Sequence, residues 1–286
     1  MKEPAGGGQV PSSWSADGRP PGEPLARGRT AEVYPWTGDQ VLKLFHPWMD
    51  GGAVERERRN AAAARQAGVP APAVGGMVRC GERVGLVFER IDGPTAMELL
   101  TFEPDAVQTA ARALAELHLS LHRVLAPDDL PRQAQILESR LAGCDLLSPG
   151  ERDGLLARLR RMPPEATFCH GDFHPGNILQ TPRGPVIIDW IDASCGWALA
   201  DVARSSVLFL GHLETPGLGA EVRAAIQLYH DTYLEQYFQA RTVDPEGLAA
   251  WVPIRAGARL REDIPELREW LLAQVRASRL AGGGTS

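Results

Sequence analysis

The stretch CHGDFHPGNIL, residues 169–179, crowds two histidines, an aspartate and an asparagine into eleven positions, and the apolar run VIIDW then closes on Asp189. Asp172 and Asn177 are five residues apart, and Asp189 lies twelve beyond Asn177. A carboxylate and an amide oxygen are hard donors of the kind magnesium takes. A further carboxylate can accept the hydrogen bond of a hydroxyl that is about to react. The competing reading is a polar turn between strands, where Asp, Asn and Gly are common for conformational reasons alone.

An aspartate, an asparagine five residues on and a second aspartate after the next strand pair is the order found in phosphoryl-transfer loops. The two motifs resemble the signature of the aminoglycoside phosphotransferase and choline-kinase-like family, small-molecule kinases with a protein-kinase-like fold. The resemblance implies that Asp172 orients or deprotonates an acceptor hydroxyl, that Asn177 and Asp189 hold Mg2+, and that ATP or GTP is the phosphoryl donor. It also implies parts upstream. GRTAEVY at 28–34 fits a nucleotide loop, with Gly28 allowing close backbone approach and Thr30 and Ala31 meeting phosphate oxygens. VLKLF supplies Lys43 for the α- and β-phosphates, and Glu57 is its helix partner, with Glu55 as the fallback. FERIDG fits the connector, where Phe88 sits at the inner end and Glu89 and Ile91 offer main-chain contacts to a purine. Two departures stand out. Ile191, followed by Asp192, replaces the acidic residue that often follows the tryptophan, and GWALAD replaces a Gly-Asp-Pro-like turn. Asp201 still matches and, by resemblance, braces the catalytic loop through backbone hydrogen bonds.

Other polar and aromatic residues take structural readings. His170 and His174 shape the loop, since magnesium rarely takes imidazole. His118 and His122, four apart, read as a half-buried helix face because no third ligand is evident beside them. Trp190 and Trp197 read as core aromatics. Cys169 reads as packing, lacking a separate orienting pair for a nucleophile.

These residues need elements to hold them. AEVYPW and QVLKLF flank the hairpin-like Thr37-Gly38-Asp39, and GMVRC and RVGLVFERI flank Gly81-Glu82. Between the pairs, AVERERRNAAAARQAG is rich in strong helix formers and stops at Gly68, with Pro70 and Pro72 beyond. From residue 94 helices dominate: PDAVQTAARALAELHLSLHRVL is periodic, Ser148-Pro149 starts another helix, and helical patterns run over 199–279. Short strands are expected around ATFC, NILQ and PVIIDW. The fold class read from this is α+β: a protein-kinase-like bilobal fold with a small antiparallel β lobe carrying one helix, then a larger helical lobe. The boundaries are a flexible arm over 1–24, a nucleotide-binding lobe over 25–92, a helical lobe with catalytic loop and acceptor site over 93–280, and a flexible tail over 281–286.

Composition narrows the partners. The chain has 286 residues, 44% hydrophobic and 23% charged, with a net charge of −6. That is ordinary globular composition; it speaks against nucleic acid and allows a cationic ligand. The sequence contains no run of about 18 apolar residues, so no membrane association is expected. Four scattered cysteines suit reduced thiols in a cytoplasmic protein. Only eleven residues separate Asp189 from Asp201, which leaves no room for the long activation segment of a protein kinase. The acceptor is therefore read as a small molecule bound after Asp201, where YHDTYLEQYF and REDIPELREW suit an aminoglycoside or other aminated compound as well as they suit solvated helix faces. Antibiotic resistance is an expectation taken from the family. Kinases of choline, ethanolamine, homoserine or sugars, and a pseudokinase-like regulator, are the alternatives; a dinuclear phosphohydrolase would leave Lys43 and Glu57 without a purpose. Monomer and dimer both stay open.

Overall fold

The structure is a computed structural model that describes residues 20, 22–241 and 246–280. Of the arm expected over 1–24, all but residues 20 and 22–24 lies outside the described residues, as does the tail expected over 281–286. In chain order the strands and helices are β1 (Ala26–Arg27), β2 (Ala31–Pro35), β3 (Gln40–Phe45), α1 (Gly51–Gln66), β4 (Val74–Cys80), β5 (Arg83–Glu89), α2 (Pro104–His122), α3 (Gln133–Ala142) and α4 (Pro149–Arg160). There follow β6 (Thr167–Cys169), β7 (Ile178–Thr181), β8 (Gly184–Ile187), β9 (Ser194–Gly196), α5 (Ala198–His212), α6 (Ala220–Ala240), α7 (Glu246–Arg259) and α8 (Arg268–Leu280). The described residues form two compact units. One runs up to Pro94 and includes Ile178–Asp192; the other comprises Thr95–Asn177 and the chain from Ala193 onward.

The first unit is a five-stranded antiparallel sheet in the order β1-β2-β3-β5-β4, with α1 against β4 and β5. Strand alternation decides what points where. Leu42 and Leu44 of β3 join Tyr34, Val78, Cys80 and Val87 in a core on one face of the sheet. Lys43, between them, is sent to the other face. Helix α1 starts at Asp50, whose side chain accepts a hydrogen bond from the Ala53 N–H at 2.7 Å. The helix buries Ala53, Val54, Glu57, Asn60, Ala61 and Ala64, so two polar residues interrupt its apolar stripe. The β7–β8 hairpin belongs to this unit. It is tied in by the Ile187 N–H donating to the Pro70 carbonyl at 2.7 Å and the Gln180 N–H to Pro94 at 2.8 Å.

The second unit packs α2 on α6, α5 on α7 and α7 on α8, with β6 and β9 paired antiparallel among them. Helix α4 begins with a reciprocal capping box between Ser148 and Glu151. No described helix is long and apolar enough to cross a membrane. The strand–strand–helix–strand–strand order of the first unit follows the sequence pattern. Strands β1 and β9, of two and three residues, are too short to show any period, and α3 buries only Gln133, Leu137 and Leu141.

Gly85 of β5 lies opposite Leu44 of β3, and a Cβ there would meet the buried Leu42 side chain at 2.7 Å. Gly85→Ala is expected to cost about 1–3 kcal/mol through overpacking. A urea-unfolding comparison checks this; unchanged stability would mean that Leu42 repacks freely.

Candidate active site

Two polar clusters stand out, one in each unit. In the first, Lys43 reaches Glu57 Oε1 at 2.7 Å and Asp189 Oδ1 at 3.0 Å. Glu55 instead pairs with Arg58 at 2.7 Å, so Glu57 is the helix partner of Lys43. Burial opposes the Lys43 charge, but the carboxylates of Asp189 and Glu57 outweigh it and raise its pKa. Glu57 is almost completely buried, and burial pushes its carboxyl up to about 7 against the pull of Lys43. Asp189 and Asp192 push it the same way. Two carboxylates thus contact one ammonium, Asp192 adds its charge at Glu57, and Glu57 Oε2 is buried without a hydrogen-bond partner. Asp189 itself has φ of 64°, a left-handed backbone that is uncommon for a non-glycine residue. Behind it, Asn60 of α1 donates to the Trp190 carbonyl at 2.9 Å and fixes the turn.

The other nucleotide-loop and connector residues lie in the same unit. Gly28 donates its N–H to the Ala31 carbonyl at 2.8 Å, closing a tight turn, and the Thr30 carbonyl accepts from the His46 N–H at 2.9 Å. Ala31 is buried as the first residue of β2. Glu89 ends β5; its N–H donates to the Ala73 carbonyl at 2.8 Å and its carboxylate accepts from the Ala73 N–H at 3.0 Å. Ile91 follows the strand, half-buried.

In the second unit, one face of α5 grips the loop after β6. Asp201 accepts the N–H of His170 at 2.6 Å and of Gly171 at 2.8 Å, the brace expected of it. Gly171 has φ of 84°, which turns both N–H groups toward the carboxylate. Arg204, one turn on, donates to Asp172 Oδ1 at 2.9 Å, and the Ser205 hydroxyl donates to the Phe173 carbonyl at 2.8 Å. Burial opposes the Asp172 charge, but Arg204 and the nearby His174 outweigh it and hold the carboxyl well below the usual range. Asn177 closes the loop by donating from Nδ2 to the Asp172 carbonyl at 2.9 Å. This orientation leaves the Asn177 amide oxygen as the atom that could meet a cation.

His118 and His122 are fully buried, not half-buried, because Asp201 gives each a partner, at 3.2 and 3.4 Å. Their Nδ1 atoms lie 2.7 Å from the hydroxyls of Tyr233 and Tyr237. Burial, with His122 beside it, lowers His118 to about 3. The His118 ring is therefore a neutral donor to Asp201 and an acceptor from Tyr233, and every member of the trio has hydrogen-bond partners without a metal. Trp190 and Trp197 are core residues, the latter packed on Trp251 with ring centroids 4.9 Å apart. Cys169 is buried and its thiol pushed up by burial, which makes it inert. His170 is buried against Phe173, and His174 Nδ1 accepts the Gly176 N–H at 3.1 Å. The sequence reading missed Asn60, Arg204, Ser205 and Glu262. The one signal for Arg204 was a lone arginine in the mostly apolar run ADVARSSVLFL.

A carboxyl raised from 4.5 to about 7 stabilises the folded state fully below pH 4.5 and loses that contribution as pH rises toward 7. Compared with Glu57→Gln, the wild type should lose about 1–3 kcal/mol of relative stability across that window. Urea unfolding at pH 4.5, 6 and 7.5 reads it; a constant difference would contradict the protonation assigned to Glu57.

The fold and the loop have relatives. The family model described as the phosphotransferase enzyme family matches residues 22–251. No curated protein matches significantly. Among solved structures, a thermostable mutant of aminoglycoside phosphotransferase APH(4)-Ia, in ternary complex with AMP-PNP and hygromycin B, aligns with TM-score 0.63 at 17% identity, over 92% of this chain and 94% of that one. An aminoglycoside-3'-phosphotransferase of type VIII gives 0.55 at 24% identity, over 82% and 91%. A choline/ethanolamine kinase family protein from Mesorhizobium loti gives 0.57 at 19%, over 92% and 89%. A five-stranded antiparallel sheet with one helix, followed by a mainly helical part, is thus a kinase-like fold. With a model match spanning most of its length, the chain belongs to the phosphotransferase enzyme family.

Proposed function

We propose that the chain transfers the γ-phosphoryl group of ATP, with GTP as the alternative donor, to a hydroxyl of a small aminated molecule. The buried ion-pair cluster of Lys43, Glu57 and Asp189 carries this reading, because it presents a fixed ammonium to phosphates beside a surplus of carboxylate charge. Glu57 holds the ammonium of Lys43 in one place, so that it meets phosphate oxygens as a preset charge. The turn from Gly28 through Thr30 to Ala31 covers the phosphates, and the main chain at Glu89 and Ile91 meets the base.

Asn177 and Asp189 would hold Mg2+. Both are hard oxygen donors, and the surplus of carboxylates around Lys43 fits a divalent cation. A cation held by these two residues would supply charge neutralisation for the transferring phosphates. Asp172 accepts the hydrogen bond of the acceptor hydroxyl. With Arg204 beside it the carboxylate is a weak base, so its work is orientation, with proton loss late in the transfer.

An aminoglycoside or similar aminated acceptor is favoured by the net charge of −6 and by the aminoglycoside phosphotransferases among the structural neighbours. The choline/ethanolamine kinase neighbour supports a small amino alcohol as the second reading.

A coupled assay of ADP formation with ATP and Mg2+ against hygromycin B, kanamycin, choline, ethanolamine, homoserine and glucose should show turnover with at least one aminated acceptor. Asp172→Ala should lower it roughly 10²- to 10⁴-fold while nucleotide affinity stays within about twofold. Near-normal transfer in that variant, or phosphate release from an ester without nucleotide, would contradict the assignment.

A further inference from the structure

We propose that Arg204, itself held by Glu262, is a positioning residue that fixes the Asp172 side chain so that one chosen oxygen meets the acceptor hydroxyl. The inference rests on the phosphoryl-transfer reading above. Arg204 stands on α5 with a side chain only 5% exposed. Its guanidinium spans two carboxylates: Nη2 lies 2.9 Å from Asp172 Oδ1, and Nη1 lies 2.6 Å from Glu262 Oε1. Glu262 is anchored in turn. Its Oε2 lies 3.6 Å from Arg259 Nε, and Arg259 Nη1 donates to the Val207 carbonyl at 2.6 Å. Arg204 therefore has little rotamer freedom, and Asp172 inherits that restriction.

The two oxygens of Asp172 are not equivalent. Oδ1 is taken by Arg204 at a short distance. Oδ2 has only long contacts, 3.4 Å to Asn177 Nδ2 and 3.5 Å to His174 Nε2. Contacts of that length are weak, so Oδ2 is the oxygen free to take a hydroxyl proton into a hydrogen bond. A planar fork suits this task in a way an ammonium does not, since it bridges two carboxylates in one fixed plane. Asp201 and Ser205 hold the loop backbone at 170, 171 and 173, and Arg204 alone among these three holds the reacting side chain.

A double-mutant cycle tests the proposal with the acceptor that turns over fastest in the panel above. Arg204→Met, Arg204→Lys and Glu262→Gln are each made in the wild type and in Asp172→Ala. Expected is a fall in kcat of about 10- to 100-fold for Arg204→Met with nucleotide KM within about twofold, and partial recovery in Arg204→Lys. Glu262→Gln, which keeps the fold's shape, should cost about 3- to 10-fold. In the Asp172→Ala background all three should cost almost nothing further, because the group they act through is gone. Equal losses in both backgrounds, or unchanged kcat in the wild-type background, would overturn the positioning role and leave the kinase reading intact. Absence of transfer by the wild type to every acceptor would overturn both.

Discussion

A single buried carboxylate, Asp201, is the constraint on which the second unit depends. Taking a carboxylate out of water costs several kcal/mol unless hydrogen bonds replace the water. Here two backbone N–H groups and two imidazoles supply them. Those imidazoles stand on α2, and the tyrosines behind them stand on α6. One charge thus joins three helices to the strand-to-loop transition at His170. Loss of any partner would leave the carboxylate under-satisfied, which makes the arrangement all-or-none and the loop conformation unique.

The first unit solves the opposite problem. Strand alternation throws Lys43 off the apolar core face, and its ammonium would be poorly solvated without carboxylates nearby. Glu57 and Asp189 supply them in excess, at the cost of a strained backbone at Asp189 and an orphan oxygen on Glu57. Under the proposed function, a divalent cation would relieve this excess of carboxylates. The second unit shows the complementary economy. Asp172 is balanced by Arg204 and remains ionised, which under the proposed function would orient the acceptor hydroxyl before any proton moves.

Much of this was legible in the sequence where the signal is local. Asp172, Asn177 and Asp189 sit within eighteen positions, and Lys43 stands between leucines in a short strand. The choice of Glu57 over Glu55 came from the family resemblance, since Glu57 stands eleven residues before Gly68, where the family's helix ends. Contacts between distant segments were not legible. Arg204 and Glu262 are 58 positions apart, and nothing in either neighbourhood names the other. His118 and His122 looked like a half-buried face because the partner that buries them, Asp201, lies 83 and 79 residues downstream. Asn60 was hidden in a run of alanines, where an asparagine reads as a weak helix former and not as the support of a distant turn.

The central proposal is that Asn177 and Asp189 would each give an oxygen to one divalent cation, beside a nucleotide whose phosphates would meet Lys43. Anomalous diffraction from crystals grown with AMP-PNP and Mn2+ tests it most directly, since manganese scatters anomalously and accepts the same oxygen donors as magnesium. The account predicts a manganese peak bonded to Asn177 and Asp189, with the nucleotide's phosphates on the same ion. A peak at His118, His122 and Asp201 instead, or bound nucleotide with no metal at Asn177 and Asp189, would contradict it.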